Sequence, residues 1–209
     1  MDYIKKYLEQ TSKIATLLDQ NAILKAIQIL KSVRQNKGRL FILGVGGSAG
    51  NASHAVNDFR KITGIESYTP TDNVAELTAR INDDGWNSVF SNWLKVSNLN
   101  SKDAVMVFSV GGGNVEKNIS VNLVMALKLA KQTGAKIIGI VSRDGGYTKE
   151  VADSCILIPV LTQETVTPHA EEFQAIVWHL LVSHPELQMH EMKWESQGKV
   201  GAGLAPAQE

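Results

Sequence analysis

The sequence predicts an α/β fold: a doubly wound, mostly parallel sheet of five strands, preceded by N-terminal helices. Three observations predict it. Short apolar runs recur at RLFILGVG, DAVMVFSV, AKIIGIVS and SCILIPV; they are continuous rather than alternating, so both faces of the sheet are covered. Helical stretches around residues 48–63, 72–97, 115–133 and 168–184 separate the runs, and strands alternating with helices build parallel units. Glycine-bearing turns, GVGGS, SVGGGN and SRDGG, follow three of the runs, the place where open α/β sheets gather ligands.

Before the first run, Ile4, Leu8, Ile14, Leu17 and Leu18, then Ile23, Leu24, Ile27, Leu30 and Val33, recur at helical spacing, which predicts two amphipathic helices. One domain over residues 1–196 accommodates all of this, and QGKVGAGLAPAQE, residues 197–209, reads as a flexible tail. Lys+Arg and Asp+Glu are equal at 21 each, so no global field favours nucleic acid or anionic lipid. The single cysteine, Cys155, reads as a strand thiol and agrees with a reducing compartment. The charged start, MDYIKKYLEQ, lacks the apolar run of a signal peptide, and no stretch of ~20 apolar residues offers a membrane span. A cytoplasmic protein is expected. The helices carry more apolar surface than one sheet covers, which predicts a homodimer or homotetramer.

In GVGGSAGNASH, Gly46 and Gly47 let the backbone approach a ligand, Ser48 is placed to cap a helix, and the free N–H groups of that helix favour an anion. The same letters fit G-x-G-x-x-A from Gly44 to Ala49, with Glu66 placed for a ribose, so a dinucleotide fold competes on this motif alone. His54 and Asp58 are four apart and share a helix face. Ala52, Ala55, Val56, Phe59 and Ile62 define the core stripe, and the pair points away from it. An exposed charge pair is the bland reading.

SVGGGN repeats the layout, and Ser109, the amides of Gly111, Gly112 and Gly113, and Asn114 form a second candidate anion nest. SRDGG reads first as a tight turn. Thr167-Pro168 signals a helix start, and Glu171 and Glu172 suit the positive end of that helix. From Ala175 to Val182 the helix is apolar nearly all round except at His179, which predicts a buried imidazole in need of a partner.

GVGGS with its helical H-x-x-x-D, SVGGGN, SRDGG and a terminal helix bearing a glutamate eight residues before a histidine together resemble the sugar isomerase (SIS) domain family, and within it the phosphoheptose isomerases. The resemblance covers roughly residues 3–184. It implies a homotetramer with its active site at a subunit interface. It also implies conversion of sedoheptulose 7-phosphate to D-glycero-D-manno-heptose 7-phosphate for lipopolysaccharide or capsule, commonly with zinc. By the same resemblance His54, Asp58, Glu171 and His179 are the metal set, with Asp58 and His179 catalytic; the isomerisation chemistry adds Glu171 as the rival of Asp58 for the base. Two histidines and two carboxylates suit zinc. Glu171 and His179 are offset by about 80° and 12 Å on a regular helix, and Glu172 shares the histidine's face better, so either glutamate fits. Asp72 and Asn73, in TDNVAEL, are rival matches to the family's active-site aspartate.

The sequence also departs from the family pattern. Asp58 is a methylene shorter than the family's glutamate, and Glu171 is charged where the family has glutamine. Val110, Gly111 and Asn114 stand where its phosphate loop has hydroxyls. These losses keep a second reading open, a non-catalytic sugar-phosphate sensor or interaction module of the same fold.

Overall fold

The computed structural model describes residues 2–193; the tail expected at 197–209 lies outside the described residues. Helices α1 (Tyr3–Leu17) and α2 (Gln20–Gln35) lead into β1 (Leu40–Leu43), α3 (Gly47–Thr63), β2 (Ser67–Tyr68), α4 (Val74–Asp84), α5 (Val89–Val96) and β3 (Ala104–Ser109). Then follow α6 (Val121–Thr133), β4 (Lys136–Ser142), α7 (Gly146–Val151), β5 (Ser154–Ile158) and α8 (Val166–Ser183). The strands form one sheet in the order β2-β1-β3-β4-β5, and every pairing is parallel.

Successive strand residues point to opposite faces, and the core divides accordingly. Leu40, Ile42, Met106, Phe108, Ile138 and Ile140 pack with α2, α3 and α8. Phe41, Leu43, Val105, Val107, Ile137 and Val141 pack with α5 and α6. Asp103 staples the starts of β1 and β3: its Oδ1 accepts from the Arg39 backbone N–H at 2.9 Å, and its Oδ2 from Arg39 Nη2 at 2.8 Å.

Two expected helices differ from what forms. The stretch 72–97 is two helices, α4 and α5, because Gly85 takes φ +82° and ends the first. The stretch expected from 115 is helical only from Val121. Asn114 and Ile119 close a small hairpin instead, exchanging backbone bonds of 2.9 and 3.0 Å. SRDGG leads into the short α7, and the edge strand β2 is only two residues long.

Strand order reverses between β1 and β3. Ligands of doubly wound sheets settle at such a reversal, beyond the carboxyl ends of the strands. The GVGGS turn leaves β1 there and the SVGGGN turn leaves β3.

Candidate active site

A cleft of about 300 Å³ opens at this reversal, lined by Ser48, Ser109, Gly111, Ser120, Arg143 and Glu171 among others. Gly46, at φ +63°, starts α3 without a side-chain cap. Ser48 is therefore not the cap expected of it; its hydroxyl is buried and accepts from Gln174 Nε2 at 3.0 Å. Asn51 Nδ2 donates to the Glu171 carbonyl and to Gln174 Oε1, both at 2.9 Å. These bonds tie α8 to α3 and hold the Glu171 carboxylate against Gly47, where any Cβ would collide with it.

The second glycine turn contributes fewer donors than expected. Ser109 Oγ accepts the Gly112 N–H at 3.0 Å, so that amide is taken while the hydroxyl keeps its own proton to donate. Asn114 spends its side chain inside the hairpin, accepting from the Lys117 N–H at 2.7 Å. The hairpin returns the chain to the cleft at Ser120, a residue that sequence reading missed. Arg143, also missed, takes φ +56° and makes no side-chain hydrogen bond or ion pair among the described residues.

His54, Asp58 and His179 converge, with one ligand atom of each lying within 4.8 Å of the others. His54 Nε2 is 3.5 Å and His179 Nε2 3.4 Å from Asp58 Oδ2. Both separations exceed a good N–H···O bond of about 2.7–3.2 Å. They match the edge of a tetrahedron, ~3.3 Å when the metal–ligand bonds are ~2.0–2.1 Å. Two imidazoles and a carboxylate leaving one position open also fit a catalytic zinc. The donor set suits the ion.

Glu171, expected as a fourth ligand, is not in that group. Both residues lie in the regular helix α8, and two turns of it separate them by about 12 Å. The two glutamates of α8 face different surroundings, Glu171 the cleft and Glu172 helix α1. Glu172 accepts from the Tyr7 hydroxyl and lies 3.2 Å from His169 Nδ1, on the face away from the cleft. Burial, then the Glu172 contact, pushes the Tyr7 phenol up to about 12.

Two burial expectations are reversed. Asp58 is 7% exposed, because Trp178 Nε1 donates to its Oδ2 at 3.0 Å and offsets the cost of burial. His179 is half exposed; α8 turns Phe173, Val177 and Leu181 inward and leaves Ile176 and Leu180 outside with it. The buried histidine of α8 is His169, held by Glu172 and by Gln10 Oε1 at 3.1 Å. Of the rival pair, Asp72 docks on α3, accepting from Ser53 Oγ at 2.6 Å, whereas Asn73 caps α4.

The chain has known relatives. The phosphoheptose isomerase of Helicobacter hepaticus is 31% identical over 180 residues, covering 84% of this chain and 85% of that protein. That of Aliarcobacter butzleri is 29% identical over 185 residues, covering 85% and 92%. The solved phosphoheptose isomerase of Neisseria gonorrhoeae superposes with a TM-score of 0.72 at 22% identity, over 86% of this chain and 93% of that one. No helix among the described residues is long and apolar enough to cross a membrane. The family model for the SIS domain matches residues 2–142, which hold both glycine turns and the helix bearing His54 and Asp58, so this chain is a member of the SIS-domain family.

Proposed function

We propose that the chain is an aldose–ketose isomerase that interconverts sedoheptulose 7-phosphate and D-glycero-D-manno-heptose 7-phosphate. The relatives named phosphoheptose isomerase support this reading over most of the chain's length. The observation that carries it is one site holding both an anion-facing turn and a zinc-type donor set. Phe108 joins the two: it walls the cleft and stacks at 5.8 Å on Trp178, which touches the donors.

The isomerisation moves a proton between C1 and C2 through an enediolate, so it needs a proton carrier and a stabiliser of the developing oxyanion. His54, Asp58 and His179 would hold a zinc ion, which would supply Lewis-acid polarisation of a carbonyl. Asp58 is already engaged: Oδ2 receives the indole and faces two imidazoles, and Oδ1 receives Asn57 Nδ2 at 3.0 Å. The Glu171 carboxylate accepts no hydrogen bond among the described residues and stands in the cleft. We therefore assign the carbon-bound proton to Glu171 and place His179 with the ligands. In this reading the phosphate lies against Ser109, Ser120 and Arg143, which has no ion pair among the described residues and whose charge compensates for the hydroxyls absent from the loop.

The test is isomerisation of sedoheptulose 7-phosphate with and without added zinc, in deuterated water. Zinc-dependent turnover with deuterium entering C2 is expected, with inorganic phosphate competing against substrate and competing less well in Arg143→Ala. Binding of the sugar without exchange from either isomer rejects the isomerase and leaves the sensor reading.

The reading also includes assembly. Ile4, Leu8, Leu17, Leu24, Ile176 and Leu180 are exposed on α1, α2 and α8, and an apolar groove of about 310 Å³ joins these helices. Large exposed apolar patches mark interaction sites. Light scattering at micromolar concentration is expected to give a dimer or tetramer; a monomer refutes it.

A further inference from the structure

Trp178 touches every member of the donor set. Its Nε1 donates to Asp58 Oδ2 at 3.0 Å. Its ring centroid lies 5.3 Å from that of His54 at 60°, and 4.8 Å from that of His179 at 48°. The indole also stacks on Phe108 at 20°, a strand residue in the middle of the sheet, so its own position is fixed by the core.

The helix makes this possible. Trp178 and His179 are consecutive, and consecutive residues diverge by about 100°, so one side chain enters the core while its neighbour reaches the rim. On α3, His54 and Asp58 are one turn apart on a shared face.

An aspartate carboxylate turns readily about its last torsion, which has broad minima. Here both oxygens are occupied, Oδ2 by the indole and Oδ1 by the Asn57 amide at 3.0 Å. Two bonds from opposite sides fix that rotation, and the fixed Oδ2 is the atom facing both imidazole nitrogens. Trp178 is 2% exposed, so the N–H has no ready solvent partner to exchange for Asp58.

We infer that Trp178 is a positioning residue for the metal centre: its N–H sets the rotation of Asp58 and its edges set the two imidazoles, so that the donors converge before an ion arrives. The inference rests on the metal reading of the site. Outer partners of ligands usually matter by about 10- to 100-fold in metal affinity. A tryptophan that merely filled the core would change stability and leave that affinity alone.

Trp178→Phe keeps an aromatic ring and removes the donor. Its zinc dissociation constant, measured by competition with a chromophoric chelator, is expected to rise about 10- to 100-fold, and the visible bands of the cobalt-substituted protein to change in energy and intensity. An unchanged constant and spectrum overturn the inference. Wild-type protein that takes up no zinc in the same titration overturns the metal reading instead. If the variant fails to fold, the wild-type indole N–H resonances decide, identified by elimination with Trp86→Phe, Trp93→Phe and Trp194→Phe. The Trp178 resonance is expected to move in proportion to zinc up to one equivalent; a resonance indifferent to bound zinc overturns the inference.

Discussion

Glu171→Gln is expected to lower kcat by about 10²- to 10⁴-fold, the range spanned by general acid–base groups, without changing zinc stoichiometry. The amide has nearly the same size as the carboxylate, so it fits against Gly47, but it cannot accept a proton from carbon. The sign of the KM change follows from position. Glu171 lies by the N-terminus of α3, in the cleft that contains Arg143, where its charge opposes an incoming phosphate. Neutralising it leaves KM unchanged or lowers it. His54→Ala provides the contrast, losing both zinc and turnover, because it removes one of three donors. Because a glutamine amide can itself coordinate a metal, Glu171→Ala completes the test: metal analysis and steady-state kinetics on the three variants separate the roles, and loss of zinc from Glu171→Ala makes Glu171 a ligand and defeats its assignment as proton carrier.

The sheet was legible because its strands are continuous apolar runs and its glycine turns fall at their ends, signals that do not depend on distant residues. The donor set was legible in part through a resemblance and through the four-residue spacing of His54 and Asp58. What the sequence concealed depends on contacts between distant segments. Asp58 reads as an outward residue by periodicity, and an indole 120 positions later helps to make its burial tolerable. Tyr7 engages Glu172 from a helix 165 residues away in sequence, and Glu171 alone of the two lines the cleft. Ser120 was hidden because the 114–119 hairpin inserts between the glycine turn and its helix, and Val115 and Ile119, four apart, imitate a helical period there. His179 was expected inside because Ile176 and Leu180 are apolar. They are nevertheless exposed, because the packed face of α8 is the one bearing Phe173, Val177 and Leu181.

Gly146→Ala tests whether the two later glycine turns form one device, and a destabilisation of about 3 kcal/mol is expected. The amides of Gly145 and Gly146 are spent inside the turn, on the Ser142 carbonyl and on Asp144 Oδ1, yet a Cβ at Gly146 would strike the carbonyl oxygens of Gly111 and Gly113, and one at Gly112 would strike that of Gly145. The two backbones lie in direct contact, joined from Tyr147 N–H to Gly113 at 2.8 Å, from Thr148 N–H to Gly112 at 3.0 Å, and from the Thr148 hydroxyl to Gly112 at 2.7 Å. Pushing them apart weakens three hydrogen bonds, each worth about 0.5–1.5 kcal/mol net. Alanine at φ +49° adds roughly 1 kcal/mol of its own. For a chain of this size the melting temperature should fall by about 6–12 °C. Gly50→Ala is the opposing control, since a Cβ there meets nothing within 4 Å and the exchange should stabilise the helix by about 0.5–1 kcal/mol. The functional consequence separates brace from bystander. Ser109 is bonded to Gly112, so a displaced turn carries the phosphate-facing hydroxyl with it, and KM should rise while zinc affinity, set by α3 and α8, does not move. A melting temperature within 2 °C of wild type, together with an unchanged KM, would remove SRDGG from any part in shaping the anion site.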